Sequence, residues 1–438
     1  MKPNRTFVTV CVLGLALFWT AGRLQAIDLE KLQKVYQEAM KAYQDKNYQV
    51  FLDGMLEAQQ YFPNHPLLLQ QLAAAYALNG KPLKALGPLN RTAAMGLVFD
   101  VWNNPDFRSV QKRPEFKRLM SRYEKNIQPL NGSRLTFSIP EKGVLAEGLA
   151  YDPQDKKFFV GSVRQRKVLR LNPDGRGDVL SRNADGLWAV MGLRVDPARR
   201  RLWAATSAVP QMIGRKPEDE GRAGLACYDL KTGRLLKKYL LPGKPENHLL
   251  GDLAVDGKGT VVATDSLSPV LYTPSAAGEG LDVFLRYDPF QSPQGIDFSS
   301  DGRTLFVSDY AVGVYAIDRQ TKAVRFLEPP PNAALLGIDG LYFYRGSLLA
   351  VQNGLKPNRI LRLFLNKDQS KIDRVEVLEA NQPAMSEPTL GVVAGGVFYF
   401  VANSQWGLVD DKGQAAPNDK WKDPVVLQIN LEEPPSKK

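Results

Sequence analysis

Two hydrophobic rhythms divide the chain. From Leu29 to about residue 125, apolar side chains return every three or four positions among abundant Ala, Leu, Gln, Lys and Glu. That spacing predicts amphipathic helices. From about residue 133 the rhythm shortens to β-branched and aromatic runs, broken by turns such as Pro173-Asp174-Gly175. Those runs predict short strands.

Within the helical part, two stretches follow a helix-turn-helix logic. The first carries Ala39, Ala42, Tyr48, Phe51 and Ala58, closed by Pro63; the second carries Leu69, Leu72, Ala73, Tyr76, Gly80, Ala85 and Leu89. Small residues at fixed positions let paired helices approach closely, and the proline marks the boundary between units. This pattern resembles the tetratricopeptide repeat. A divergent third unit, with Asn104-Pro105-Asp106-Phe107 and Arg113-Pro114-Glu115-Phe116, predicts short helices that cap the stack.

The strand-rich part repeats one unit six times: an apolar strand, a turn, and a second strand ending on a small polar residue. The units run from Glu147 to Ser162, Met191 to Thr206, Gly251 to Asp265, Gln294 to Asp309, Asp339 to Asn353, and Thr389 to Asn403. Their starts are 44, 60, 43, 45 and 50 residues apart, the period of four-stranded propeller blades. Six units predict six blades. The alternating segment Arg134–Ile139 precedes the first unit and can supply the outer strand of the last, which would close the ring and remove open sheet edges.

The first 26 residues change the picture of where this body works. Lys2 and Arg5 form a charged start, Phe7 to Ala21 an uncharged and mainly apolar stretch, and Leu24-Gln25-Ala26 a cleavage point. The segment predicts export to the periplasm or the exterior; the alternative is retention as an N-terminal anchor. No other stretch could cross a bilayer, so no stable membrane span is expected after cleavage. The expected organisation is a signal peptide over 1–26, a helical domain over 28–125, a linker over 126–132, a six-bladed propeller over 133–432 and a tail over 433–438.

Composition removes several chemistries. The chain has 438 residues, a formal net charge of +11, two histidines and two cysteines. Two histidines exclude His-rich metal sites, and a Ser-His-Asp triad could use only His248 or His65, with no Gly-x-Ser-x-Gly elbow to serve it. Cleavage would leave Cys227 alone in an apolar run, as a buried small hydrophobe with no disulfide partner. The positive charge lacks a basic run with interleaved aromatics, and Arg199-Arg200-Arg201 falls at an expected hairpin tip. A solvated basic surface is therefore expected, without a nucleic-acid partner.

In a propeller the first strand of each blade lines the central channel. The repeat thus delivers two rings of residues to one mouth. The inner ring is Glu147, Met191, Gly251 with Asp252, Gln294, Asp339 and the Glu387/Thr389 region; the second is Ser162, Thr206, Asp265, Asp309, Asn353 and Asn403. Strand-end Asp, Asn and Ser commonly bond to backbone, which is the reading for the second ring. Glu147 and Asp339 share equivalent positions facing a narrow tunnel. Like charges there repel unless a cation compensates, and converging oxygens suit a hard cation such as Ca²⁺ or Mg²⁺.

Glu147-Gly148, Ser292-Pro293-Gln294-Gly295 with the following Ser300-Asp301-Gly302-Arg303-Thr304-Leu305, and Ile338-Asp339-Gly340 resemble the gluconolactonase/regucalcin family of six-bladed propellers. Paraoxonases and strictosidine synthases are more distant relatives of that family. The resemblance implies metal ligation by Glu147, Gln294 and Asp339. It also implies hydrolysis of a lactone or ester, with Asp339 or Asp252 as general base. Gln294 stands where the family has Asn, Gly251-Asp252 where it has Asn-Asp, and no His stands where paraoxonases use theirs. The expectation is a divalent-metal-dependent hydrolase, with Ca²⁺ or a similar cation, acting on a small molecule at the propeller mouth. The alternative is a non-enzymatic binding or scaffolding protein, whose helical repeats take a protein partner and whose mouth takes a small ligand or peptide.

Overall fold

The structure is a computed structural model and describes residues 29–432. The signal segment and the tail from 433 lie outside the described residues. Two compact units emerge. Of the described residues, one comprises those up to Gln128 with Pro329–Ala334, the other Pro129–Glu328 with those from Leu335 to Glu432.

The helical unit holds two antiparallel pairs, Leu29–Gln44 with Tyr48–Tyr61 and Pro66–Leu78 with Pro82–Ala94. Each start has a local cause. Asn47 accepts the Val50 N–H, His65 Nδ1 accepts that of Leu68, and Pro66 and Pro82 occupy first-turn positions where no N–H is needed. The small and apolar residues singled out by spacing are its core: Ala39, Ala42, Phe51, Ala58, Leu69, Leu72, Ala73, Ala85 and Leu89 are all buried. The third unit is a turn of 3-10 helix at Pro105–Phe107, a single turn at Arg108–Gln111, and Pro114–Asn126. That last helix runs 13 residues, longer than a short cap, and buries Leu119 and Tyr123 against the second pair. Among the described residues no helix is long and apolar enough to cross a membrane.

The second unit is a six-bladed β-propeller. Its six sheets have four antiparallel strands each, and five of them follow chain order. The first strands are Ala146–Asp152, Leu250–Val255 and their equivalents, and every predicted unit coincides with a hairpin of first and second strands. The sixth sheet has the order Gly391–Ala394, Val397–Val401, Val425–Asn430 and finally Arg134–Ser138. The N-terminal strand therefore closes the ring as its alternation predicted, pairing Arg134 with Gln428 and Ser138 with Val425.

One irregularity recurs and positions the site. In blades one to five the first strand carries a β-bulge at the same place: Glu147-Gly148 in blade one, Met191-Gly192, Gly251-Asp252, Gln294-Gly295, and Asp339 in blade five. A bulge sets two residues against one and turns a side chain out of the pleat. The glycine beside it has a steric reason. A Cβ on Gly148 would lie 2.1 Å from the Met191 carbonyl oxygen, because neighbouring first strands converge on the channel.

Candidate functional site

The bulges bring Glu147 and Asp339 close enough to interact at one channel mouth, with Glu387 near both. Glu147 is buried, and its Oε2 accepts the Trp406 indole N–H at 2.7 Å and the Ser404 hydroxyl at 3.3 Å. Asp339 Oδ2 accepts from Asn353 Nδ2 at 2.8 Å; the same amide donates to the Pro388 carbonyl and accepts from the Tyr310 hydroxyl. Burial and then the charge of Asp339 push the Glu147 carboxyl well above its ordinary range, although Trp406 and Ser404 hold it back. Burial lifts Asp339 to about 7, with Asn353 opposing and Asp252 and Glu387 adding to the rise. Burial raises Glu387 too, against backbone N–H groups at 405–407.

Gln294 and Gly251 are complementary. Gln294 Oε1 stands 3.0 Å from where a Cβ on Gly251 would be, so the longer amide occupies room left by the missing side chain. Its Nε2 donates to Ser292 Oγ at 3.3 Å, which leaves the amide oxygen beside Gly251. Asp252 sits differently from the ring residues. It occupies the bulge position held by glycine in blades one, two and four, one residue further along the strand. There it is 1% exposed, with Oδ2 taking Arg194 Nη2 at 3.2 Å and Oδ1 buried without a hydrogen-bond partner. Burial lifts it to about 6 while Arg194 pulls it down.

Most of the second ring caps strand ends, as its residue types suggested. Asp309 accepts the N–H groups of Gln291, Ser292 and Ala311; Asn403 bonds Asp423 O and Val425 N; Ser162 accepts the Gln165 N–H. Two members differ: Asn353 also orients Asp339, and the Thr206 hydroxyl is buried without a hydrogen-bond partner. His248 is buried behind the mouth, Nδ1 2.7 Å from Asp265 Oδ2 and Nε2 3.3 Å from Glu246 Oε2. Cys227 is buried and its thiol is pushed up to about 11 by burial. The arginines of the hairpin tip are spoken for: Arg199 pairs with Asp196, Arg200 with Asp152 and Asp155, and Arg201 with Asp229.

Sequence reasoning marked the insertion Gln405 to Lys422 as either a lid over the mouth or a passive loop, and it missed the role of Arg194. The segment 405–422 packs over the blade-two side, where Val409 and Trp421 join a cluster with Trp188, Val209 and Met212, and it sends Trp406 to Glu147. Deeper in the channel, Arg194 from blade two reaches Asp252 in blade three and the Ile296 carbonyl in blade four. Its guanidinium lies over the blade-five Tyr342 ring, 4.8 Å from the centroid. The available signal was charge inside an apolar first strand: Arg194 and Asp297 each lie two residues beyond the repeat's glycine.

The donor set suits a hard cation in type: two carboxylates with unrelieved repulsion and one amide oxygen. Among the described residues, however, no three His, Cys, Asp or Glu side chains stand as a metal-holding group. Any cation there would share Glu147 with the indole N–H.

The fold and site thus define a six-bladed propeller with an acid-lined channel mouth. No protein-family model matches the sequence, and no curated protein matches it. Among solved structures it is similar to the PQQ-bound aldose sugar dehydrogenase of Streptomyces coelicolor, at 13% identity over 68% of this chain and 96% of that one, with a TM-score of 0.45. It is also similar to a gluconolactonase of Xanthomonas campestris, at 17% identity over 69% and 91%, TM-score 0.44. A third is a catalytically inactive virginiamycin B lyase of Staphylococcus aureus with quinupristin, at 14% identity over 69% and 98%, TM-score 0.43. The propeller assignment rests on the six four-stranded sheets themselves.

Proposed function

We propose that the protein is an exported, divalent-cation-dependent hydrolase of lactones or esters, working at the mouth that Glu147 and Asp339 share. The observation carrying this reading is that each of these carboxyls is displaced upward in a mouth where several acids face one another. A fold keeps such repulsion most readily where a cation relieves it. Glu147, Asp339 and the Gln294 amide oxygen would hold the ion. When bound, a hard cation polarises a carbonyl and makes a bound water more acidic.

The remaining work falls to the chain's own groups. Asn353 fixes Asp339 by bonding Oδ2, so proton transfer belongs to Oδ1. Asp339 Oδ1 is then the oxygen that would take the proton of the attacking water. Asp252, held by Arg194, stands behind Asp339 as a second acceptor through its unpartnered Oδ1. Trp406 and the segment around it limit access of water to Glu147.

One observation favours the alternative of a non-enzymatic small-ligand binder, with the helical repeats serving a protein partner. Trp406 and Ser404 already satisfy Glu147 Oε2. A panel of γ- and δ-lactones and aryl esters, assayed with and without Ca²⁺, separates the two. The hydrolase reading expects cation-dependent turnover that Glu147→Gln and Asp339→Asn abolish. Cation binding without turnover of any panel member selects the binder.

A further inference from the structure

The opposite end of the channel holds a cavity of about 730 Å³, inside the usual range for small-molecule sites. It is lined by the later halves of the first strands, from Ala150 in blade one to Ala394 in blade six. Strand rise puts it roughly 10 to 13 Å from the Glu147–Asp339 mouth. Its walls are aromatic and aliphatic, and its inner end is charged. Tyr151 and Tyr399 stack with centroids 6.3 Å apart and planes 20° from parallel, and Phe158 braces both from behind. Phe343 and Val393 continue the wall.

Asp297 and Arg194 form the inner end. Arg194 turns Nη2 to Asp252 Oδ2 and the Ile296 carbonyl and Nη1 to the Leu193 carbonyl, with its face on Tyr342. Asp297 accepts one backbone N–H on each oxygen, from Phe298 at 2.9 Å and from Phe343 at 2.8 Å. These bonds aim the carboxylate and leave each oxygen a further lone pair. Two carboxylates, Asp252 and Asp297, thus face a single guanidinium, and the balance is negative. A ligand carboxylate would compete with Asp252 for Arg194 and meet Asp297 at close range. A ligand cation would find an aimed carboxylate at the end of an aromatic sleeve.

We propose that this second mouth is a binding site for a protonated amine carried on an aromatic or branched aliphatic body, its nitrogen on Asp297 and its body between Tyr151, Tyr399 and Phe343. The amine would touch none of Glu147, Asp339 or Gln294, although the two mouths are joined through the Arg194–Asp252 pair.

The test titrates the full chain by calorimetry with phenethylammonium, 2-phenylethanol and 3-phenylpropionate. Phenethylammonium should bind at least about tenfold more tightly than either analogue. Asp297→Asn should remove about that factor, and Val393→Trp, which fills the cavity at its wall, should abolish binding while leaving the melting temperature in place. If Asp297→Asn does not fold, Val393→Trp alone decides. Glu147→Gln should leave the titration unchanged. No heat with phenethylammonium, equal or tighter binding of 3-phenylpropionate, or retained binding in Val393→Trp would each overturn the assignment. So would loss of binding in Glu147→Gln, which would place the amine at the other mouth.

Discussion

Asp339, Asp252 and Asp309 all sit above their ordinary range because burial penalises the ionised form, at about 7, 6 and 6. The unfolded chain releases these protons near pH 4. Between about pH 4 and 7 the native state therefore binds more protons, and stability falls as pH rises through that window. Metal-free protein should melt at higher temperature at pH 5.5 than at pH 8. Added Ca²⁺ should raise the pH 8 value more than the pH 5.5 value, because protons and the cation compete for the same oxygens. A second residue-scale expectation concerns Gly251 and Gln294. Gly251→Asn alone crowds the Gln294 amide and should cost about 1–3 kcal/mol. Adding Gln294→Asn should recover most of that, a coupling that urea denaturation of the four proteins measures. A double variant that loses the sum of the two single losses would show that the two sites do not touch.

At the scale of elements, the bulges and the 405–422 segment decide what the mouth can do. Trp406→Phe keeps the ring in its cluster and removes the indole N–H from Glu147. Calcium affinity should rise by about tenfold or more, the worth of one hydrogen bond to a charged group. Unchanged or weaker affinity would mean the indole does not compete for that oxygen. The elements themselves were largely written in the pattern: six hairpins, the paired helices and the closing strand at Arg134–Ser138 all follow from apolar spacing and turn residues. The bulges were not, because pairing register is a property of two strands and one sequence shows only one of them. That is why Asp252 reads as a ring acid in sequence yet points one step further along the channel. Glycine and acid exchange places in blade three, and the bulge turns that exchange into a change of direction.

At the scale of the whole molecule, Arg194 ties blade two to blades three, four and five through one guanidinium. Arg194→Leu leaves Asp252 and Asp297 facing each other without a cation and should cost about 3–5 kcal/mol at pH 7.5, less at pH 5 where the acids take up protons. Urea midpoints at the two pH values check both parts. This hub was invisible in sequence, because residues 194, 252 and 297 become neighbours only once the ring closes. The surface charge, by contrast, was legible. The three arginines of the hairpin tip each meet a carboxylate at a strand end, so they add little to any basic patch.

The central claim is that the acid-lined mouth exists to hold a hard cation. Calorimetric titration of the full chain with Ca²⁺ at pH 7.5 tests it most directly. One site per chain is predicted, weakened at least about tenfold by Glu147→Gln and by Asp339→Asn and left intact by Val393→Trp at the far mouth. No heat at concentrations above about 10⁻³ M, where even weak protein calcium sites fill, would contradict it, as would equal binding by both acid variants.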